Sequence, residues 1–432
     1  MNMKKLKILM VFILLSLAIQ AQDIMTLDSC YARLERNYPT MKNPALISEA
    51  VKLKLKSLNT NYMPDINIGG KASWQSDVTK LEIDNPMFDF ETPDISKDQY
   101  KLYAELSQVI WDGGATSVAK EIEQLSGRMQ KLNIKVDLYG LRKQVNELYY
   151  TILMLQEQIS ILEIKKAGIN DKLKEMQSAV DNDMMLPAGI KELEVNKLSI
   201  KQQIFEAEAS RKTTVLMMEL LTGEDIPELA QYLLPARDLS MQKDIGRPEL
   251  EAFALQKKQA ELRKDMLTKE RNPQLAGFGQ VGYGRPGFNM LSDDFEPFAI
   301  VGIKFSWSPW QWNKIRYEKQ ILDLSVQQID NKEEAFRQSV NTQAEQYLKD
   351  MRVYEEMIDQ DEDIIQLRGD ILKTKESRFA EGSIKASEYL DALNKEATAK
   401  INLEIHRIKK SKAIIQYLTV TGKNKDNYES NQ

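Results

Sequence analysis

The chain has 432 residues, of which 28% are charged and 42% hydrophobic, and its formal net charge is -5 at pH 7. The length alone predicts two or three domains, and the composition is ordinary for a folded protein. The negative charge and the lack of a Lys/Arg block argue against a nucleic-acid partner. Cys30 is the only cysteine, which excludes an intrachain disulfide, and we interpret it as an ordinary residue of the first helix.

The N-terminus has the pattern of a secretory signal peptide. Basic residues Lys4, Lys5 and Lys7 precede an apolar run over 8–19, and Ala21 is a small residue at a plausible cleavage point. The run falls short of the ~20 residues that a membrane-spanning helix needs, which makes a retained anchor the weaker alternative. We therefore predict that residues 1–21 are removed and that the chain leaves the cytoplasm.

Two pairs of segments alternate apolar and polar residues with the period of a β-strand. The first pair covers 65–75 and 100–111, and the second covers 274–283 and 298–307. Segments of about ten residues with Trp or Tyr near their ends match the strands of outer-membrane barrels. A soluble β-sandwich is the alternative, but only four strands are found and nothing supplies a second sheet.

Each strand pair is followed by long stretches of helical period. Residues 115–180 would form about 100 Å of helix, with a coiled-coil seam of apolar residues. Residues 181–187 break this helix, and a second helix returns to Gly223. The second half repeats the plan with helices over 312–380 and 385–418. Shorter helices are predicted before each strand pair, over 27–58 and 247–271. The predicted fold class is α+β, mostly α.

The two halves align as an internal duplication. Pro39 and Pro64 have counterparts 209 residues later, at Pro248 and Pro273. Beyond the loop between paired strands the offset is 199, and it matches Trp111 with Trp310 and the pair Thr222-Gly223 with Thr421-Gly422. One length difference in that loop reconciles both offsets, which indicates a repeat. The predicted boundaries are 22–223 for the first repeat, 224–246 for a linker, 247–422 for the second repeat and 423–432 for a polar tail.

Four strands are too few to close a membrane barrel, and open sheet edges do not occur in lipid. The barrel would therefore be shared between copies. Two copies would give eight strands and a filled lumen, whereas three would give twelve strands and room for a passage.

Several short motifs resemble those of the TolC family of outer-membrane efflux proteins, over essentially all of the mature chain. They are Asn37-Tyr38-Pro39 and Arg247-Pro248 at helix starts, Ile110 to Gly114 after the second strand, Arg378 to Ser383 at a helix tip, Tyr389 to Ala392, and the two Thr-Gly pairs that close the repeats. Each motif alone is weak, but their order and duplication are specific.

This resemblance implies a homotrimer with a 12-stranded outer-membrane β-barrel on a periplasmic α-barrel of antiparallel coiled-coil helices. It would lie in the outer membrane of a Gram-negative bacterium, in contact with its lipid, and extend into the periplasm. Its partners would be a periplasmic adaptor protein and an inner-membrane pump. The implied function is a passive exit duct for pumped solutes. Two alternatives stay open: an exit channel for type I protein secretion, and a periplasmic coiled-coil adaptor or scaffold.

The resemblance also implies the functional residues. Glu388 and Asp391 lie three residues apart on one helix face, where family members have an acidic pair at the periplasmic aperture, and six carboxylates in a trimer would favour cations. The helix tips would dock the adaptor. The tip residues are Asn182, Asp183, Leu186 and Pro187 in the first half and Gly382 and Ser383 in the second. Gly382-Ser383 also has the pattern of a helix C-cap.

The strand-to-helix junctions are marked by residues that break the strand pattern: Trp111, Gly113 and Gly114 in the first half, and Pro309 and Trp310 in the second. No residues indicate catalysis or a cofactor. Gly282 to Gly287 fits a G-x-G-x-x-G pattern, but Pro286 and an acidic loop follow instead of a helix. His406 is the only histidine and has no Cys or carboxylate motif around it for a triad or metal site. We therefore predict no enzyme, cofactor or metal.

Overall fold

The computed structural model of the protein describes residues 24–79, 95–181, 188–237 and 245–423. The predicted signal peptide lies outside these residues. So do Asn182, Asp183, Leu186 and Pro187 of the first helix tip, and residues 424–432 of the predicted tail.

Seven α-helices are found in the described residues. They are α1 (Leu27–Asn37), α2 (Asn43–Asn59), α3 (Ala115–Asp181), α4 (Ala188–Thr222), α5 (Pro248–Glu270), α6 (Lys314–Ala380) and α7 (Ala386–Thr421). Helices α3 and α6 have 67 residues each, as the uninterrupted helical period predicted. Pro39 starts a short 3-10 turn that divides the helical stretch predicted over 27–58 into α1 and α2.

The six strands in this part of the chain form two sheets. Strands β1 (Ile24–Met25) and β4 (Gln231–Tyr232) make a short parallel pair. The four predicted strands, β2 (Asp65–Trp74), β3 (Asp98–Trp111), β5 (Gln274–Arg285) and β6 (Glu296–Ser306), form an antiparallel sheet in the order β2-β3-β5-β6. Thus β2 and β6 are its two edge strands.

Both hairpins of this sheet have the same register after the sequence offsets are applied. Asp65 lies opposite Ser107 in the first hairpin, and Gln274 lies opposite Ser306 in the second. The first strands of the two hairpins are related by the same offset as Pro39 and Pro248. The second strands are related by the same offset as Trp111 and Trp310. The strand pairing therefore reproduces both offsets of the sequence repeat.

The chain divides into two compact units. The first comprises Met1–Asn43, Leu132–Glu251 and Glu333–Gln432, and the second comprises Pro44–Lys131 and Ala252–Lys332. The second unit holds the four-stranded sheet. No helix within the described ranges has a stretch long and apolar enough to cross a membrane.

The first unit has two apolar cores. The larger contains the fully buried rings of Tyr149 and Tyr150 and the side chain of Leu34. Cys30 is completely buried in the same core, and this burial raises the pKa of its thiol to about 12. The structure therefore confirms Cys30 as a packed residue of the first helix. The second core surrounds Ile169, Leu193 and Tyr389.

The start of α6 differs from its prediction by two residues. The helical pattern indicated that α6 begins at Trp312, but it begins at Lys314. Trp312 and Asn313 instead have positive φ values of 47° and 62°. The prediction was wrong because an aromatic residue in the left-handed region gives no signal in apolar periodicity, whereas a glycine there would have marked a turn.

Candidate functional site

The tip between α6 and α7 contains Gly382 and Ser383. Gly382 has a φ of 72°, and its N–H donates to the Phe379 carbonyl at 3.0 Å. The Ser383 N–H and hydroxyl both donate to the Arg378 carbonyl at 2.9 Å. This pair of backbone bonds is a Schellman motif, which satisfies the last carbonyls of a helix and suits glycine in the left-handed position. The predicted C-cap is therefore confirmed.

Glu388 and Asp391 lie in the first turns of α7, just past this tip, and line one shallow cavity of about 440 Å³. Lys375 of α6 donates from Nζ to Oε2 of Glu388 at 2.8 Å. Lys395, one turn along α7, donates to Oδ2 of Asp391 at 2.7 Å. Arg368 lines the same cavity. The predicted pair is brought together, and each carboxylate has a lysine partner.

The ion pair between helices determines the titration of Glu388. The hydrogen bond and charge of Lys375 hold the pKa of this carboxyl below its ordinary value. The carboxylate form is therefore favoured at neutral pH. The lining side chains carry three positive and two negative charges, so three cations lie around the predicted acidic pair.

Sequence reasoning missed the cations of this cavity. The spacing of Asp391 and Lys395 by four residues on one helix was a readable signal. Lys375 gave no such signal, because it meets Glu388 only through the packing of α6 against α7.

A buried lysine lies near the tip, in the second core of the first unit. The side chain of Lys172, on α3, is 6% exposed and donates to Glu175 at 2.8 Å. Its Nζ lies 5.7 Å from the ring centroid of Phe379 and 5.8 Å from that of Tyr389. These two rings are stacked with centroids 5.2 Å apart. Lys172 therefore connects the first helical hairpin to the second through cation–π contacts.

The first strand-to-helix junction is organised by Asp112, which belongs to the motif Ile110 to Gly114 but to which the sequence interpretation assigned no role of its own. Its Oδ1 accepts from the Tyr62 hydroxyl at 2.7 Å and from the Gly114 N–H at 3.0 Å. Its Oδ2 accepts from the Thr116 N–H at 2.7 Å. Asp112 thus caps the start of α3. Gly113 has a φ of 74°, and its carbonyl accepts from Asn272 at 2.8 Å.

The second junction repeats the backbone path of the first with different residues. At the offset that relates Trp111 to Trp310, Gly113 and Gly114 correspond to Trp312 and Asn313. All four of these residues have positive φ. The predicted Trp310 stands edge-on to Trp312, with centroids 5.8 Å apart, and both indoles are largely exposed. Pro309 lies in the irregular segment between β6 and α6.

The remaining candidates do not form a site. Gly282 to Arg285 belong to strand β5, so their G-x-G pattern is not a loop before a helix. Nδ1 of His406 lies 2.5 Å from Oδ2 of Asp361, which is buried. No group of three or more potential metal ligands occurs among the described residues.

No family model and no curated protein matches the sequence. Solved structures do match. The CmeC outer membrane channel of Campylobacter jejuni is 13% identical, over 92% of this chain and 85% of that chain, with a TM-score of 0.63. The outer membrane protein VceC of Vibrio cholerae is 11% identical, over 92% and 96%, with a TM-score of 0.65. The open state of the MtrE outer membrane channel of Neisseria gonorrhoeae is 15% identical, over 92% and 88%, with a TM-score of 0.64.

Each of these structures covers 92% of this chain. The chain therefore has the fold of outer membrane channels, as its resemblance to the TolC family predicted.

Proposed function

We propose that this protein is the outer-membrane channel of a tripartite efflux system and serves as a passive exit duct for solutes delivered by an inner-membrane pump. The observation that carries this proposal is the four-stranded sheet, which combines the channel fold with an exposed apolar face. The strand register brings most of the apolar residues of the four strands onto one side. Val301, Ile68 and Ile303 on this face are 85%, 75% and 70% exposed.

Lipid is the environment that suits such a face. The opposite face carries Asp65, Lys71, Lys101, Glu105 and Lys304, which suits a water-filled lumen. Because β2 and β6 are edge strands, one chain cannot satisfy its backbone in a bilayer. Three copies would supply twelve strands and close a barrel wide enough for a passage.

The trimer would continue below the membrane as a helical cylinder built from α3, α4, α6 and α7. In this arrangement the α6–α7 tip, with Gly382 and Ser383, faces a periplasmic adaptor, and the cavity with Glu388 and Asp391 lines the aperture. The matching offsets of the two hairpin registers support an internal duplication, which gives each chain two such tips.

The first experiment is localisation and assembly. We expect the protein in the outer-membrane fraction, as a trimer after cross-linking of intact cells. Recovery in the periplasm or the inner membrane would contradict the channel proposal and favour an adaptor or scaffold. Co-purification of a periplasmic adaptor after mild cross-linking would identify the partner.

The second experiment tests the aperture. Replacing both carboxylates (Glu388→Ala with Asp391→Ala) should raise single-channel conductance in planar bilayers, because the ion pair between Glu388 and Lys375 is lost. The ion preference should move toward anions, since Arg368, Lys375 and Lys395 keep their charges. Unchanged conductance and ion preference in a channel that still conducts would mean that these carboxylates do not line the narrow point.

A further inference from the structure

The pairing of β3 with β5 joins the two halves of the sheet, and its register can be applied to the junction between copies. Strand β3 ends the first repeat's hairpin and pairs with β5, which begins the second. Ala104 lies opposite Val281, and Glu105 lies opposite Gln280. At the end of the ladder Val109 pairs with Ala276 and Trp111 with Leu275, so Ile110 is the extra residue of a β-bulge.

We propose that β6 of one copy pairs antiparallel with β2 of the next copy in the register of β3 with β5. The two offsets of the duplication then place Ile303 opposite Ala72 of the next copy, and Lys304 opposite Lys71 of the next copy. This inference rests on the proposed trimeric channel and specifies which residues meet at its three junctions.

The stagger of the strands supports this register. Leu106 lies between Ile66 on β2 and Gly279 on β5. Leu275 is the counterpart of Ile66 in the second repeat. Gly279 lies four residues beyond Leu275, so the strand stagger from one repeat to the next is four residues. Strands of a closed barrel share one tilt and one sense of stagger. The proposed register continues the advance of four residues at the junction between copies.

Pro309 gives independent support. A proline has no N–H to donate, so within sheets it is confined to edges, strand starts and bulges. At the offset that relates Trp111 to Trp310, Pro309 corresponds to Ile110, the unpaired bulge residue of β3. Trp310 would pair opposite Ile66 of the next copy, as Trp111 pairs with Leu275. Strand β6, which ends at Ser306 in the single chain, would then extend to Trp310.

Electrostatics alone would favour a different register. Sliding β6 by six residues places Lys304 opposite Asp65 and Ile303 opposite Ile66 of the next copy. An attractive pair would then replace two opposed lysines, and opposite charges stabilise a cross-strand pair whereas like charges destabilise it. However, this slide makes the stagger at the junction run in the opposite sense to that inside the chain. It also places Pro309 opposite Thr60, in the 3-10 turn before β2.

The proposed register has a consequence for the lumen. Lys71 already lies opposite Lys101 within one chain. The neighbouring copy's Lys304 would extend this pair into a row of three lysines on the polar face. Three rows per trimer would attract anions and repel cations at one level of the duct.

Disulfide cross-linking tests the register directly. Cysteines at opposed positions should link copies after mild oxidation, in the combination Ile303→Cys with Ala72→Cys or in Lys304→Cys with Lys71→Cys. One of these adjacent pairs must be of the closer, non-hydrogen-bonded kind. Within one chain these positions lie on opposite sheet edges, beyond disulfide reach. Cys30 is fully buried and should not interfere.

The control combinations are Ile303→Cys with Ile66→Cys and Lys304→Cys with Asp65→Cys. Links in these combinations instead would overturn the proposed register and leave the channel standing. A trimer that links in none of the four would show that these edges do not pair. A protein that stays monomeric would contradict the proposed function itself.

A charge reversal provides a second readout without cysteines. In the proposed register Lys304→Glu faces Lys71, so the purified trimer should dissociate at a higher temperature than the wild type, with Lys304→Gln in between. In the alternative register Lys304→Glu faces Asp65, and the dissociation temperature should fall. A fall would therefore overturn the proposal.

Discussion

At Gly113 the chain passes from β3 into α3 in a left-handed backbone conformation that residues other than glycine rarely adopt. A Cβ atom added there would lie 2.7 Å from Cβ of Asn272 and 2.8 Å from the carbonyl oxygen of Lys269. Both the φ of 74° and the crowding therefore require glycine. The second junction places Trp312 at the matching position, where the left-handed conformation costs roughly 1–3 kcal/mol.

We expect Gly113→Ala to destabilise the protein by about 1–3 kcal/mol, because the added methyl group is strained and crowded. The measurement is thermal unfolding of the detergent-purified protein, followed by helical circular dichroism. Gly140→Ala is the matched control, since it lies inside α3 and its Cβ would meet no described atom within 4 Å. Equal losses in both variants would contradict this account of the junction.

The buried environment of Lys172 leads to a second prediction. Lys172→Met should keep stability nearly unchanged, because an apolar chain of similar volume can replace a buried cation among aromatic rings. Lys172→Glu should be strongly destabilising, because its carboxylate would be buried between Glu175 and Glu376. Thermal unfolding of both variants checks this. A large loss in the Met variant would show that the cation itself holds the two hairpins together.

At the scale of elements, one ion pair joins α6 and α7 near their tip, beside the stacked rings of Phe379 and Tyr389. Lys375 and Glu388 belong to different helices, whereas Lys395 and Asp391 are four residues apart on α7. Both pairs are largely solvent-exposed, so neither contributes much to global stability. The first pair should stabilise the contact between the two helices, whereas the second should stabilise only α7 itself.

Lys375→Met should loosen the start of α7 against α6, and amide hydrogen exchange should accelerate in the first turns of α7. Lys395→Met is the matched control, because its pair lies within one helix and does not connect two. The same acceleration in both variants would rule out a specific role for the pair between the helices.

The pH dependence follows from the lowered pKa of Glu388. A carboxyl whose folded pKa is depressed stabilises the fold above its unfolded pKa, which is about 4.3 for Glu. This stabilisation is lost as the pH falls through the folded pKa. The protection of amides near the start of α7, measured relative to the intrinsic exchange rate at each pH, should therefore fall in acid below about pH 4. Lys375→Met should abolish that change, and its persistence would point to another group.

For the whole molecule, the two faces of the sheet make a paired prediction. Val301 lies on the apolar face and its neighbour Ile300 on the polar face. If the apolar face meets lipid, Val301→Arg should cost about 2–4 kcal/mol near the bilayer centre and reduce the assembled protein in the outer membrane. Ile300→Arg should be tolerated, because its side chain would enter the lumen. Similar losses for both substitutions would mean that this sheet does not separate lipid from water.

Much of the fold could be predicted from the sequence, because each element has a strong local period. The four strands and the two 67-residue helices are confirmed, and so is the cap at Gly382. The start of α6 was wrong because Trp312 adopts a conformation that its residue type disfavours. The partners of the candidate residues were less visible, since Lys375 and Lys172 act through contacts between elements that no spacing in the chain encodes. The bonds of Asp112 to Gly114 and Thr116 are local, and only its contact with Tyr62 joins separate segments.

The two free edges of the sheet also constrain how the protein could be made. A single chain presents unpaired backbone groups on β2 and β6 next to a wide apolar face, which is the combination that drives aggregation in water. In the proposed channel, a single chain would therefore be unstable in water. Folding of the sheet would have to be nearly simultaneous with insertion into a bilayer and pairing with other copies, and a chaperone would have to cover the strands until then.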